Sequence, residues 1–206
     1  MFKKSPKVNF HYSFIYDVAW RDAWEHRTDK EGEYPTMEQS LKFLKNLEKD
    51  WQKVEAKVFK TITSVGGRPW SVISHDCYIT GKAGAFSIPL TIPSGLYKSQ
   101  PPGYMVDVLT HELIHRYISQ EEILGVKNLG DEKRWNNFCK KFPKENFNVI
   151  AHVIVQAIHE LVYLKIFNRA RLTRDQKFLS QFPDYKRAWN IIKEHGAQKI
   201  VTMYFN

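Results

Sequence analysis

Hydrophobic residues recur at helical spacing along a first long stretch of the chain. Thr36 and Gln39 form a predicted capping box, and the apolar positions that follow repeat every three or four residues until Gly66 and Gly67. Apolar residues at this spacing share one face of a helix, so we expect a scaffold helix that covers one face of a sheet.

Alternating segments predict the strands of that sheet. Residues 8–18 alternate aromatic with polar side chains, and residues 70–80 and 85–92 are rich in β-branched and aromatic residues. Pro89 cannot donate to a strand ladder, so the strand that contains it is expected at a sheet edge. Such an edge either binds an extended peptide by strand addition or is protected by the proline against aggregation, and both interpretations remain open.

A second helical stretch, 104–118, follows the strong break of two prolines and a glycine at 101–103. It contains neither glycine nor proline, and its apolar residues form a stripe. That stripe consists of Met105, Val106, Leu109, Leu113, Tyr117 and Ile118. His111, Glu112 and His115 lie on an adjoining face of the same predicted helix.

A third helical stretch, 147–167, is apolar over most of its circumference, which predicts deep burial. Its polar exceptions share one side of the helix because their spacings are three, four, seven and eight residues. They are His152, Gln156, His159, Glu160 and Tyr163. Buried polar groups are costly unless they are satisfied, so this row is expected to face partners, a cavity or a metal ion.

The order of these elements predicts an α+β fold with helices packed to one side of a small mixed sheet. At 206 residues and 43% hydrophobic content, the chain suits a single domain, and it shows no linker or internal repeat. We expect residues 1–103 to supply the sheet and its backing helix. Residues 104–206 are expected to form the helical part that carries the chemistry.

Two histidines four residues apart on a helix can bind one metal ion together. His111 and His115 have this spacing, and Glu112 lies beside the first of them. Zinc takes neutral imidazole ligands and lowers the pKa of a bound water, whose proton a nearby carboxylate can accept. The alternative interpretation is an ordinary amphipathic helix with hydrogen-bonded or solvated histidines.

A catalytic zinc site has three protein ligands, so one more donor is needed. His152 and His159 lie seven residues apart on one helix, about 10 Å along its axis, so only one of them is expected to join the site. We favour His152, because Gln156 one turn later is placed to hold its ring. His159, supported by Tyr163, is the close competitor, and Glu160 is the third candidate. A buried polar seam between two helices would account for the row without a metal.

The segment His111-Glu112-Leu113-Ile114-His115, followed by a second polar-striped helix, resembles the zincin metallopeptidases, and within them the gluzincin group. In that group the second helix carries Asn-Glu-x-x-x-Asp. Residues 151–156 match this pattern in spacing only, with His152 in place of the ligand Glu and Gln156 in place of the Asp.

The resemblance implies a zincin-like fold, in which an edge strand lies over a cleft between the sheet and two ligand-bearing helices. It also implies a zinc-dependent peptidase that acts on peptides or proteins. Zinc would be held by His111, His115 and His152, with Glu112 as the general base. His159 or Tyr163 is the candidate donor to the oxyanion.

Charge suggests a second hypothesis. The formal net charge is +9, and residues 165–199 contain nine Lys or Arg against three acids. Such an excess fits nucleic acid or acidic partners, so the alternative function is a catalytically silent basic module that associates with nucleic acid or another protein. A solvated surface is the favoured interpretation, because no zinc finger or RNA-binding signature accompanies the charge.

The sequence also sets expectations about the compartment. No apolar run is expected to span a membrane, and the basic N-terminal segment lacks the apolar core of a signal peptide. Cys77 and Cys139 are too few for a disulfide scaffold and are expected as free thiols. We therefore expect a cytoplasmic protein without a membrane partner.

Overall fold

The structure is a computed structural model that describes residues 5–28, 32–96, 100–101, 103–120 and 129–206, with only the backbone described for 129–131. The described part is a mixed α+β protein. In chain order its elements are β1 (Lys7–Tyr12), α1 (Phe14–Glu25), α2 (Met37–Gln52), α3 (Glu55–Gly66), β2 (Ser74–Thr80), β3 (Phe86–Ser87), β4 (Leu90–Pro93), α4 (Tyr104–Ile118), α5 (Leu129–Cys139), α6 (Phe147–Ile166), α7 (Arg169–Leu179), α8 (Pro183–His195) and α9 (Ala197–Phe205).

The described residues form two compact units. The sheet unit comprises described residues of Lys3–Ala56 and Val72–Arg116, and the helical unit comprises those of Lys57–Ser71 and Tyr117–Asn206. Helix α4 begins in the sheet unit, and its last two residues belong to the helical unit. The expectation of a single domain stays a prediction.

The sheet has four strands in the order β1-β2-β4-β3. Strands β1, β2 and β4 are parallel to one another, and β3 pairs antiparallel with β4 at the edge. The predicted strand 85–92 is therefore a hairpin of two short strands, and Pro89 lies in the turn between them. The inference that Pro89 lies within an edge strand is wrong, although the strand just before it is an edge.

The first strand ends earlier than its alternating pattern predicts. Strand β1 stops at Tyr12, and the predicted continuation to residue 18 is the first part of α1. Ser13 caps that helix, since its hydroxyl accepts a hydrogen bond from the backbone N–H of Tyr16 at 3.4 Å. A good N-cap residue thus ends the strand where hydrophobic alternation alone did not.

The predicted capping box is confirmed, but the scaffold helix is two helices. The Thr36 hydroxyl accepts from the Gln39 backbone N–H at 3.2 Å, and the Gln39 amide oxygen accepts from the Thr36 N–H at 2.9 Å. Helix α2 ends at Gln52, and α3 begins at Glu55. The Glu55 carboxylate accepts from the Val8 N–H and the Trp51 indole N–H, both at 2.8 Å. This tertiary pairing with β1 accompanies a break that periodicity does not show.

Helix α4 follows a tight turn. Gly103 has φ 84°, a left-handed conformation that favours glycine, and the Tyr104 N–H donates to the Pro101 carbonyl at 3.1 Å. The break predicted at 101–103 therefore precedes the helix, with Pro102 lying outside the described residues. The basic N-terminal residues 1–4 are also outside them.

Helix α6 is the core helix of the helical unit. Twelve of its twenty residues are buried, and it packs against α8 and α9. Among the described residues it is the helix with enough length and apolar composition to cross a membrane, so the expectation that no run reaches this length is wrong by these two measures. A core helix passes the same test, and 67% of the most apolar window of α6 is buried within the protein.

Candidate metal centre

His111 and His115 converge on one side of α4. Their Nε2 atoms are 3.2 Å apart, and their ring centroids are 4.9 Å apart. Two nitrogens that each lie 2.0–2.1 Å from a tetrahedral zinc ion are separated by about 3.3 Å. The spacing of the two imidazoles is therefore that of a pair of ligands to one ion, and it is also short enough for a ring-to-ring hydrogen bond.

The next residue on α4 attaches the helix to the sheet. Arg116 donates from Nε to Nδ1 of His75 on β2 at 3.0 Å and from Nη1 to the carbonyl oxygen of Ser87 on β3 at 2.8 Å. Burial and the charge of Arg116 lower the pKa of His75 to about 3, so this imidazole is neutral and accepts at Nδ1. The two hydrogen bonds thus fix the histidine-bearing turn relative to the edge strand.

His152 lies on α6 with its tautomer defined by a backbone contact. Its Nδ1 is 2.7 Å from the carbonyl oxygen of Asn148. Because a carbonyl oxygen only accepts, Nδ1 carries the proton and Nε2 keeps the lone pair that a metal ion requires. Burial lowers the pKa of His152, which favours the same neutral form.

The structure brings the three histidines together. One ring nitrogen from each of His111, His115 and His152 lies within 4.8 Å of the other two, and the set is the group of potential metal ligands found among the described residues. His111 and His152 are buried, and His115 is half-buried. Converging imidazoles in a mostly buried place suit a transition-metal ion. The cluster could therefore hold a metal ion.

Residues at the start of α8 hold the first turn of α6. The Asp184 carboxylate accepts from the Asn148 side chain at 2.6 Å and from the Asn146 side chain at 3.2 Å, and these two hydrogen bonds lower the pKa of Asp184. Next to it, the Tyr185 ring packs against His152 with centroids 4.1 Å apart. The sequence alone does not identify Asp184 or Tyr185 as part of the site. Their contacts with α6 form only when the two helices pack together, and no local pattern indicates them.

Gln156 does not hold the His152 ring, contrary to the prediction. Side chains on a helix point toward its N-terminus, so the imidazole reaches back to the carbonyl of residue 148 rather than forward to residue 156. Gln156 is fully buried, and within the described residues neither its amide nitrogen nor its amide oxygen has a hydrogen-bond partner. The sequence signal that could have identified the right partner is the spacing of four from Asn148 to His152.

His159 and Tyr163 lie in another polar cluster of the helical unit. The Nε2 of His159 is 3.8 Å from a carboxylate oxygen of Asp175 on α7, and its ring centroid is 4.0 Å from that of Tyr163. Burial, with a contribution from Arg171, lowers the pKa of His159 to about 3. Of the three candidate third ligands, the structure groups His152 with the α4 pair, and neither His159 nor the half-buried Glu160. A role for His159 or Tyr163 at the oxyanion stays a prediction.

Glu112 is a buried carboxyl group beside the first histidine. It is 8% exposed, and burial raises its pKa to about 8. A carboxyl group with this pKa can both accept and release a proton near neutral pH. Burial also raises the pKa of Cys77, so this thiol is protonated and is not a nucleophile.

Comparison of this chain with protein-family models, with curated proteins and with solved structures found no match. The geometry of the three histidines, together with Glu112, is therefore the basis for inferring a function.

Proposed function

We propose that this chain is a zinc-dependent metallopeptidase of zincin-like architecture. The observation that carries the proposal is the approach of His111, His115 and His152 to within 4.8 Å of one another through one nitrogen each. Three imidazoles from two helices are a donor set used by catalytic zinc sites, which leave a fourth position for water. Zinc is favoured over other metals that imidazole binds because a histidine pair with an intervening glutamate suits hydrolysis.

When bound, zinc would lower the pKa of its water ligand and polarise a substrate carbonyl. The side chains then have separate roles. His152 presents Nε2 because Asn148 holds its Nδ1, and the α4 pair presents the other two nitrogens. Glu112 accepts the proton of the attacking water and delivers it to the nitrogen of the leaving amine, so that the carboxylate is regenerated.

The open edge of the sheet is a second feature that favours a peptide as the substrate. Strand β3 has one neighbour, β4, so its other side is open to pairing within the described sheet. Extended peptides bind such edges through their main chain, whatever their sequence. Arg116, the residue after His115 on α4, donates to the Ser87 carbonyl of this strand. The hydrogen bond keeps β3 close to the turn of α4 that carries His115.

The proposal is tested by hydrolysis of a mixed peptide library, with new termini identified by mass spectrometry. We expect cleavage by the zinc-loaded protein, loss after chelation, and recovery when zinc is restored. Glu112→Gln keeps the size of the side chain but removes the base, so cleavage should fall by about 100-fold or more. A library that stays intact with zinc-loaded, folded protein would overturn the proposal.

A further inference from the structure

Three aromatic side chains of the helical unit form a row that ends at His152. The ring centroid of Tyr185 is 4.1 Å from that of His152, Phe182 follows at 5.9 Å from Tyr185, and Phe178 follows at 6.1 Å from Phe182. We call Phe178, Phe182 and Tyr185 the aromatic row. It crosses the junction between α7 and α8, so it is built into two packed helices.

The row is partly open to solvent. Phe182 is 47% exposed, and its two neighbours are half-buried. Pro183, which follows directly, is exposed as well. The row therefore presents an apolar strip that leads from solvent to a candidate metal ligand, and apolar surface of this kind commonly contacts a ligand.

Several positively charged residues lie close to the row along the chain. Helix α7 carries four cations, Arg169, Arg171, Arg174 and Lys177, and its single acid, Asp175, is buried. Lys186 is exposed and lies one turn after Phe182, since its N–H donates to the Phe182 carbonyl at 2.9 Å. The nearby acid Asp184 is engaged by two asparagine side chains, and Arg187 pairs with Glu145 at 2.7 Å.

We propose that the aromatic row and Lys186 bind the substrate and select acidic peptides that carry an aromatic or large apolar side chain. The apolar side chain packs on Phe182 and Tyr185, and neighbouring carboxylates meet Lys186 and Lys177. This inference rests on the proposed peptidase function, because the row ends at a ligand of the proposed zinc site.

A peptide fits the row better than a single-stranded nucleic acid does. Proteins that bind single strands stack successive bases on exposed rings along a basic groove. Here Phe182 is the one exposed ring of the row, with 47% of its surface open, and the ring pairs of the row are edge-on or tilted rather than open stacking faces. An exposed Phe182 followed by the positive charge of Lys186 matches a peptide in which one large apolar side chain is flanked by acidic residues.

A measurement of peptide binding tests the proposed selectivity independently of catalysis. The zinc-loaded full chain with Glu112→Gln is titrated with fluorescent peptides that differ only around one central Phe, flanked by Glu, by Gln or by Lys. We expect the Glu peptide to bind about tenfold more tightly than the Gln peptide at low salt, with a difference that shrinks as salt is added. The Lys peptide should bind most weakly.

Variants locate the effect. On the same background, Lys186→Glu should weaken the Glu peptide about fivefold and leave the Gln peptide nearly unchanged, whereas Phe182→Ala should weaken both. Lys199→Glu, an exposed charge reversal on α9, is the matched control and should change binding little. Both test residues are exposed, so circular dichroism is expected to show unchanged folding.

Three results would overturn the inference: equal affinity for the Glu and Gln peptides, a preference that Lys186→Glu does not reduce, or tighter binding of a single-stranded oligonucleotide than of the Glu peptide. Hydrolysis by the wild-type chain is measured in a separate experiment. Cleavage without preference for acidic peptides would support the peptidase function and contradict the proposed selectivity. Acid-selective binding without any cleavage would support the proposed binding surface and contradict the peptidase function.

Discussion

The Nδ1 of His152 lies 2.7 Å from the carbonyl oxygen of Asn148, one turn earlier on the same helix. This contact places the proton of His152 on Nδ1 and leaves the lone pair of Nε2 available to a metal ion. Asn148 is in turn tied to Asp184 by its side chain. The orientation of His152, a proposed zinc ligand, therefore depends on Asp184 of α8, which acts through Asn148.

Removing Asp184 should loosen the proposed site. In Asp184→Ala the side chains of Asn146 and Asn148 lose their shared acceptor, so the first turn of α6 is less well fixed. Partners that orient metal ligands commonly change metal affinity by 10–100-fold, and we expect about tenfold weaker zinc binding. Competition titration with a chromophoric chelator measures it. Asp50→Ala, which removes the partner of Lys53 on α2, is the control. Equal zinc affinity in the two variants would contradict the role of Asp184.

Acid should destabilise the metal-free protein through its buried histidines. Burial lowers the pKa of both His75 and His159 to about 3, against about 6.5 in an unfolded chain. From pH 6.5 downward the unfolded state binds the extra proton first, so stability falls as the pH falls, by about 1.4 kcal/mol per pH unit for each histidine. Above that range the two histidines contribute no pH dependence.

The substitution His159→Phe should remove one histidine's share of this slope. Urea unfolding of the chelator-treated protein, measured at several pH values between about 6 and 4.5, gives the slope. His26→Gln, a substitution at an exposed histidine, serves as the control. An unchanged slope in His159→Phe would show that folding does not lower the pKa of this imidazole.

Arg116 should matter for stability as well as for the position of α4. In Arg116→Met, His75 and the Ser87 carbonyl both lose their donor in a partly buried place, which is expected to cost about 1–3 kcal/mol. Arg116→Lys keeps the charge and one donor, so its loss should be smaller. Urea unfolding measures both variants. If Met and Lys at this position cost the same, the two-point contact with the sheet does not contribute as described.

Local periodicity predicted the parts of the site that depend on one helix at a time. The spacing of four between His111 and His115 and the buried polar side of α6 are both visible in the sequence, and the structure groups these two histidines with His152. The prediction that Gln156 holds the His152 ring was wrong because it took the side chain to point forward along the helix. The ring instead points back toward Asn148.

Contacts between distant segments could not be predicted from the pattern. Tyr185 reaches His152 because α8 packs on α6, and nothing near residue 185 signals this approach. The break between α2 and α3 coincides with Glu55 bonding to β1, which a continuous helical pattern does not reveal. Ser13 shows the opposite case, since its capping preference was readable in the sequence and outweighed the aromatic alternation around it.

The zinc content of untagged protein and of three variants tests the account most directly. We expect about one zinc per chain in the wild type and in Glu112→Gln, and the same in His159→Phe. His152→Ala should weaken zinc binding by at least about 100-fold, because it removes a ligand rather than a supporting group. A folded wild type that binds no transition metal, or a loss of zinc in His159→Phe with retention in His152→Ala, would contradict the proposed centre.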